Sequence, residues 1–158
     1  MRDTSAVPTI LNVRDFPGGI EPCARFYHAV WGTKENHPFF RDAFLHSSQA
    51  PTALPRFFVL ALGEEIIGCY GIVTMDWVSR QDLHPWFAGL FVAEQFRGRD
   101  HGRLLLEHAA REARRMGIPR LYLTTDHEGY YERCGWQRIE DARDLKGRPA
   151  RIYRLRVP

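Results

Sequence analysis

From Leu90 to Leu106 the chain reads Leu-Phe-Val-Ala-Glu-Gln-Phe-Arg-Gly-Arg-Asp-His-Gly-Arg-Leu-Leu-Leu. An apolar strand there turns through Arg97, Gly98 and Gly102 into the start of a helix. The first N–H groups of a helix have no partner within it, and the helix dipole favours negative charge beside them. Glycines let the backbone approach a ligand closely, so the turn suits an anion, and pyrophosphate is its natural occupant. A second group, Tyr130-Tyr131-Glu132-Arg133-Cys134-Gly135-Trp136, follows about one helix and one strand later. A dinucleotide or P-loop reading is weak, because neither GxGxxG nor Gly-Lys before Ser or Thr occurs. Cys134 has no histidine placed as its base, which favours a structural role over a nucleophilic one.

The elements that must hold these groups can be read along the chain. Thr9 to Val13 reads as a short strand, and Asp15-Phe16-Pro17-Gly18-Gly19 breaks it. Pro22 lies in the first turn of a helix running to about Trp31 and stopped by Gly32. His37-Pro38 opens a second helix, with Phe40 and Phe44 at i, i+4 spacing. Arg56–Leu62 and Glu65–Trp77 are strand-like runs joined at Gly63-Glu64. Phe57, Val59 and Ala61 fall on one face of the first run, and Phe58, Leu60 and Leu62 on the other, as in a strand buried on both sides. Gly68 and Gly71 suggest a bulge or the close approach of another group. Ser79 to Pro85 is a polar connection, and Trp86–Val92 is the next strand. A helix over about 102–116 places Leu105, Ala109 and Ala113 inward and Glu107, Arg111 and Arg114 outward. Arg120–Thr125 reads as a strand, Glu128–Cys134 as a two-turn helix and Trp136–Ile139 as a strand. Asp141–Arg148 is a charged hairpin tip before a last strand, Ala150–Arg156. The order β-α-α-β-β-β-α-β-α-β-β predicts a mixed sheet flanked by helices, an α/β or α+β fold.

At 158 residues the chain is expected to form a single domain, 1–158, able to bury a core without staples. Its net charge of +3 is small and its arginines are scattered, which does not argue for nucleic acid. Cys23, Cys69 and Cys134 are odd in number and far apart, so neither a zinc site nor a disulfide framework is expected. Free thiols fit a reducing cytosol. No apolar run approaches the ~20 residues that span a bilayer, and no signal region opens the chain. The expectation is a cytoplasmic protein with no membrane association and no metal.

Together the two chemistry-bearing segments resemble the GCN5-related N-acetyltransferase (GNAT) superfamily, which transfers acetyl from acetyl-CoA to an amine. The family motif is Arg or Gln, two residues, Gly, one residue, then Gly or Ala. On this chain it starts at Arg97, has Asp100 where the middle glycine is usual, and ends at Gly102; Gly98 fits the common Arg-Gly-x-Gly-x-Gly form. The resemblance implies that backbone donors from Arg97 through Gly98, Arg99, Asp100, His101 and Gly102 to Arg103 hold the pyrophosphate. Asp100 departs from the pattern: its charge would repel phosphate, although aspartate tolerates the left-handed conformation and could turn outward as a cap.

The resemblance also implies a mostly antiparallel sheet with a splayed parallel pair, Trp86–Val92 beside Arg120–Thr125, and about four helices. The pantetheine arm would enter the splay and pair with Leu90, Phe91 and Val92, where a backbone N–H can polarise the thioester carbonyl. His127 is where the family often has a polar residue touching CoA. Tyr-x-x-x-Gly-[Phe/Trp] is met in full by Tyr131, Gly135 and Trp136, and the corresponding tyrosine often protonates the leaving thiolate. Tyr130 takes the apolar slot. Acetyl-CoA is therefore the implied co-substrate, and a primary amine of a small molecule the implied acceptor. Asp82, His84 or water are candidates for the base. Two other classes stay open: an acyl-CoA-binding or sensing module without transfer, and a nucleic-acid binder using Arg111, Arg114 and Arg115. A homodimer is compatible with the sequence.

Overall fold

A computed structural model describes residues 6–158. Seven strands form one sheet in the order β1-β2-β3-β4-β5-β7-β6: β1 Thr9–Asn12, β2 Arg56–Leu62, β3 Glu65–Val73, β4 Trp86–Val92, β5 Arg120–Thr125, β6 Gln137–Arg143 and β7 Pro149–Arg156. Every neighbouring pair is antiparallel except β4 and β5. Helices α1 Ile20–Trp31 and α2 His37–Leu45 precede β2, α3 His101–Arg115 joins β4 to β5, and the short α4 Tyr130–Arg133 follows β5. The element order is the one the sequence predicts.

Strand β2 divides the core as its alternation requires. Val59 and Ala61, with Phe57 at their side, pack towards α1 and α2 against Cys23, Ala24, Tyr27, Phe40 and Phe44. Phe58 and Leu60 face the other way, into a cluster with Ile67, Tyr70, Leu105, Ala109 and Ala113. Helix α3 presents this apolar stripe while Glu107, Arg111 and Arg114 stay exposed. Pro22 and Pro38 sit in the first turns of α1 and α2, where a missing N–H is harmless.

Helix α3 also buries a charge. Glu112 is 4 % exposed and pairs with Arg56 of β2 at 3.1 Å, while Arg115 reaches it at 2.7 Å. One turn back, His108 Nδ1 lies 2.6 Å from the Tyr70 hydroxyl.

Two expectations about strand β3 resolve differently. Gly68 does mark a bulge: Leu60 pairs with Gly68 but Ala61 with Ile66, leaving Ile67 as the extra residue. A methyl at Gly68 would press on the Phe91 carbonyl at 3.0 Å, and one at Gly71 on the Phe57 ring at 2.8 Å, so both glycines permit close approach. The strand, however, ends at Val73 rather than running to Trp77. Past that point the chain leaves the sheet, and Val78 forms an isolated bridge to Asp144. Strand β6 conversely extends to Arg143, taking the start of the expected hairpin tip into the sheet.

Candidate active site

The site begins with an irregularity in β4. Phe91 pairs with Cys69 and Ala88 with Gly71, so β4 carries one more residue than β3 across this interval. Gly89 lies there with φ +67, a left-handed conformation that a side chain would strain. Such a bulge bends the strand that contains it. Parallel pairing of β4 with β5 is confined to Trp86↔Tyr122, and beyond it the two strands part.

After Val92 a single 3-10 turn, Glu94–Phe96, anchors itself through buried Phe96. Arg97 then folds back, donating from Nε to the Val92 carbonyl at 2.8 Å and covering the Phe91 ring at 5.3 Å. Gly98 and Asp100 take positive φ, 75° and 59°, and α3 starts at His101. Asp100 occupies the N-cap position but its side chain makes no capping hydrogen bond, so the outward cap considered from the sequence does not form. An N-cap carboxylate reaches the N2 or N3 amide from an extended backbone, and the left-handed one aims it elsewhere. Among the described residues no hydrogen-bond acceptor meets the N–H groups of 98–103.

These amides open onto a cavity of about 730 Å³ between α3, α4 and the separated edge of β4. Leu90, Phe91, Val92, Arg97, Gly98, Asp100, His101, Gly102, Arg103, His127 and Tyr131 all line it; of the residues assigned from sequence to CoA and its leaving group, only Arg99 does not. Tyr130, Arg133 and Cys134 complete the wall. The Tyr130 hydroxyl lies over Gly102, in the space a Cβ there would take. Arg97, Arg103 and Arg133 outnumber the one carboxylate, Asp100, on this surface. Burial raises the Cys134 thiol above its ordinary value, which keeps it protonated and fits the structural reading.

A second recess, of about 320 Å³, lies on the other side of the splay between Trp31, Asp76, Gly89, Thr125 and Asp126. Leu90, His127 and Tyr131 line both spaces, so the two meet at these residues. Tyr131 is 8 % exposed, and burial pushes its phenol up to about 12. Asp76 accepts a hydrogen bond from the Trp77 amide at 2.7 Å, yet burial still raises its carboxyl above the usual range.

The candidate bases named from sequence lie elsewhere. Asp82 is held by Arg80 through two hydrogen bonds, at 2.8 and 2.7 Å, which lower its carboxyl to about 2. His84 lines a separate recess with Met116, Pro119 and Tyr122, at the end where β4 and β5 are still paired. Asp76 was missed because it sits inside what read as a continuing strand. Its signal was a lone carboxylate interrupting the run Ile72 to Trp77. Gly89 was missed because a single glycine in Trp-Phe-Ala-Gly-Leu-Phe-Val looks like part of an apolar strand.

The chain belongs to the acetyltransferase (GNAT) family, whose model matches residues 21–136. An uncharacterized N-acetyltransferase of Chlorobaculum tepidum is 31% identical over 84 residues, 53% of this chain and 51% of that protein. The chain thus matches about half the length of that curated relative. Among solved structures, an aminoglycoside 6'-N-acetyltransferase complexed with coenzyme A superposes with a TM-score of 0.72 at 12% identity, over 95% of this chain and 97% of that one. A GNAT family acetyltransferase from Elizabethkingia anophelis with acetyl-CoA bound gives 0.65 at 17% identity, over 94% and 97%. At these identities the structures share the fold.

Proposed function

We propose that this protein is an acetyl-CoA-dependent N-acetyltransferase acting by direct transfer to a primary amine, with residues 1–158 forming a single acetyltransferase domain. The observation that carries this is the meeting of two spaces at Leu90, His127 and Tyr131, one basic and bordered by free amides, the other holding Asp76. The solved relatives named above hold coenzyme A and acetyl-CoA. The first space fits the same donor. Amides of 98–103 and the arginines suit its pyrophosphate, and the unpaired edge at Leu90–Val92 suits the amide groups of its pantetheine arm. Acetyl-CoA supplies an activated acyl group and a thiolate leaving group.

The chain's own residues then divide the work. An alkylamine has a pKa of ~10.4, so at neutral pH it arrives as ammonium and must lose a proton before it can attack. Asp76, partly buried and raised, would hold the ammonium and relay its proton to solvent through water, so that the neutral fraction of the amine attacks. A backbone N–H near Val92 holds the charge that develops on the thioester oxygen. Tyr131, where the two spaces meet, would lie beside the sulfur. At about 12 its phenol stays protonated, against ~8.5 for a thiol, so full transfer to the thiolate is uphill by about 5 kcal/mol. Tyr131 therefore acts as a hydrogen-bond donor to the departing sulfur, and solvent completes the protonation.

The test is release of free thiol from acetyl-CoA across a panel of amines, with CoA binding measured by calorimetry. Amine-dependent thiol release with matching acetylated product supports the reading. CoA binding with no turnover on any amine would leave the non-catalytic acyl-CoA module in its place, and no CoA binding would remove both.

A further inference from the structure

We infer that the acceptor amine carries a compact apolar group, an aromatic ring or branched alkyl chain of about six carbons, seated in a pocket between α1, α2 and β4. This rests on the transfer reading above and names the acceptor class for the same site. The pocket has a volume of about 150 Å³ and is walled by Tyr27, Phe40, Ala43, Phe44 and Phe57. Of these five side chains only Tyr27 carries a polar atom, a hydroxyl turned inward that donates to the carbonyls of Phe58 and Tyr70, at 3.2 and 2.9 Å. None of these five side chains is left to hydrogen-bond a polar guest. An enclosed apolar cavity of about 150 Å³ takes up benzene, so the volume suits a group of that size.

Position ties the pocket to the acceptor side. It shares Trp31, Ala88 and Gly89 with the recess that holds Asp76, so a molecule can lie across both. The missing side chain at Gly89 keeps the way between them open, because a Cβ there would lie 3.5 Å from the Trp31 ring. Trp31 and Phe39 stand at the rim 40 % and 61 % exposed, apolar surface that an occupant would cover. The amino group of such an acceptor reaches Asp76 and Asp126, neither of which has an ion-pair partner among the described residues. Charge at one end and apolar surface at the other thus match a small amphiphilic amine better than a polyamine or an amino sugar, whose polar groups the pocket would strand.

The experiment compares kcat/KM for 2-phenylethylamine, cyclohexylmethylamine, ethylamine and ethanolamine by thiol release from acetyl-CoA. The expected advantage of 2-phenylethylamine over ethylamine is about 10- to 100-fold, as burial of a phenyl-sized group gives. Ala43→Phe should fill the pocket and bring that ratio close to one, and Ala43→Leu offers the same readout with less added volume. Turnover on ethylamine or ethanolamine with a wild-type ratio at or below one overturns the inference and leaves the transferase reading standing. Thiol release from none of the four, with calorimetric binding of 2-phenylethylamine to the CoA complex that Ala43→Phe weakens, upholds the pocket and overturns transfer instead. Neither binding nor turnover with 2-phenylethylamine overturns the inference.

Discussion

Deleting one oxygen at Tyr131 isolates the leaving-group interaction, because phenylalanine keeps the ring packed against Trp136 and Tyr153. A hydrogen bond to a charged group contributes about 1.5–3 kcal/mol, which is about 10- to 150-fold in rate. Tyr131→Phe should therefore lower kcat by that range with CoA affinity little changed. Tyr130→Phe, whose hydroxyl lies over Gly102 instead, should spare kcat and appear, where it appears at all, in the KM for acetyl-CoA. A larger loss of kcat at Tyr130 than at Tyr131 would reverse the two roles. Asp76 offers the complementary measurement. Only its ionised form can accept a proton, so kcat should fall as pH drops through a carboxyl value that burial holds above the usual range. Asp76→Asn should lose about 10²- to 10⁴-fold and abolish that acid limb. An unchanged pH profile in the variant would return the role to water. The sequence singles out Tyr131 because its motif is local and complete, and the structure sets it in the wall of both spaces. It could not reach Asp76, whose place depends on where β3 stops and the following loop turns.

At the scale of elements, the turn into α3 is where a short sequence signal carried the most information. Three features converge there within a dozen residues: the end of β4, left-handed positions at Gly98 and Asp100, and the uncapped start of a fifteen-residue helix. Gly102→Glu places a side chain and a negative charge where the Tyr130 hydroxyl and the donor amides meet. CoA affinity should fall by more than about 100-fold, a loss of over ~2.7 kcal/mol, while the thermal midpoint of the apoprotein stays within a few degrees. Asp100→Gly should bind CoA as well or better, since it removes a like charge and relieves a left-handed aspartate without losing a cap. Weaker binding by Asp100→Gly would mean that the carboxylate contributes to the turn in solution. The splay, by contrast, was legible only through family likeness. It follows from an extra residue in β4 relative to β3, and register between strands is a relation that no single strand's sequence contains.

For the whole molecule, the two-sided burial of β2 was readable because a strand covered on both faces shows apolar residues at consecutive positions, and both clusters form as that pattern requires. The ionic knot beneath α3 was not, because Glu112 falls among surface-like Arg111, Arg114 and Arg115 and its direction is settled only by the packing of α3 on β2 and β3. That knot makes stability depend on pH. His108 lies between Tyr70 and Phe58 of the sheet and Arg111, Glu112 and Arg115 of its own helix. Burial first, then the positive charges of Arg111, Arg115 and Arg56, lower its pKa from 6.5 to about 4. Glu112, 3.8 Å away, would favour the charged ring, but Arg56 and Arg115 already engage that carboxylate. Above pH 6.5 the histidine is neutral whether the chain is folded or not, and it adds no pH dependence. Between about 6.5 and 4 the unfolded chain binds a proton that the native state refuses, so stability falls as pH falls, by at most about 3 kcal/mol across the window. Below about 4 both states are protonated and this contribution stays lost. His108→Gln keeps an acceptor for the Tyr70 hydroxyl and removes the titration. Chemical denaturation at pH 7 and pH 5 should give a smaller difference for the variant than for the wild type. Breaking the ion pair itself is a separate and harsher change. Glu112→Ala strands Arg56 at 9 % exposure and should destabilise by about 3–5 kcal/mol at any pH where the glutamate is charged. Pairing Glu112→Leu with Arg56→Met should recover most of that loss, because two apolar side chains leave no buried charge behind. Equal pH dependence in His108→Gln and the wild type would assign the acid sensitivity to carboxylates elsewhere, and the His108 account would then fail.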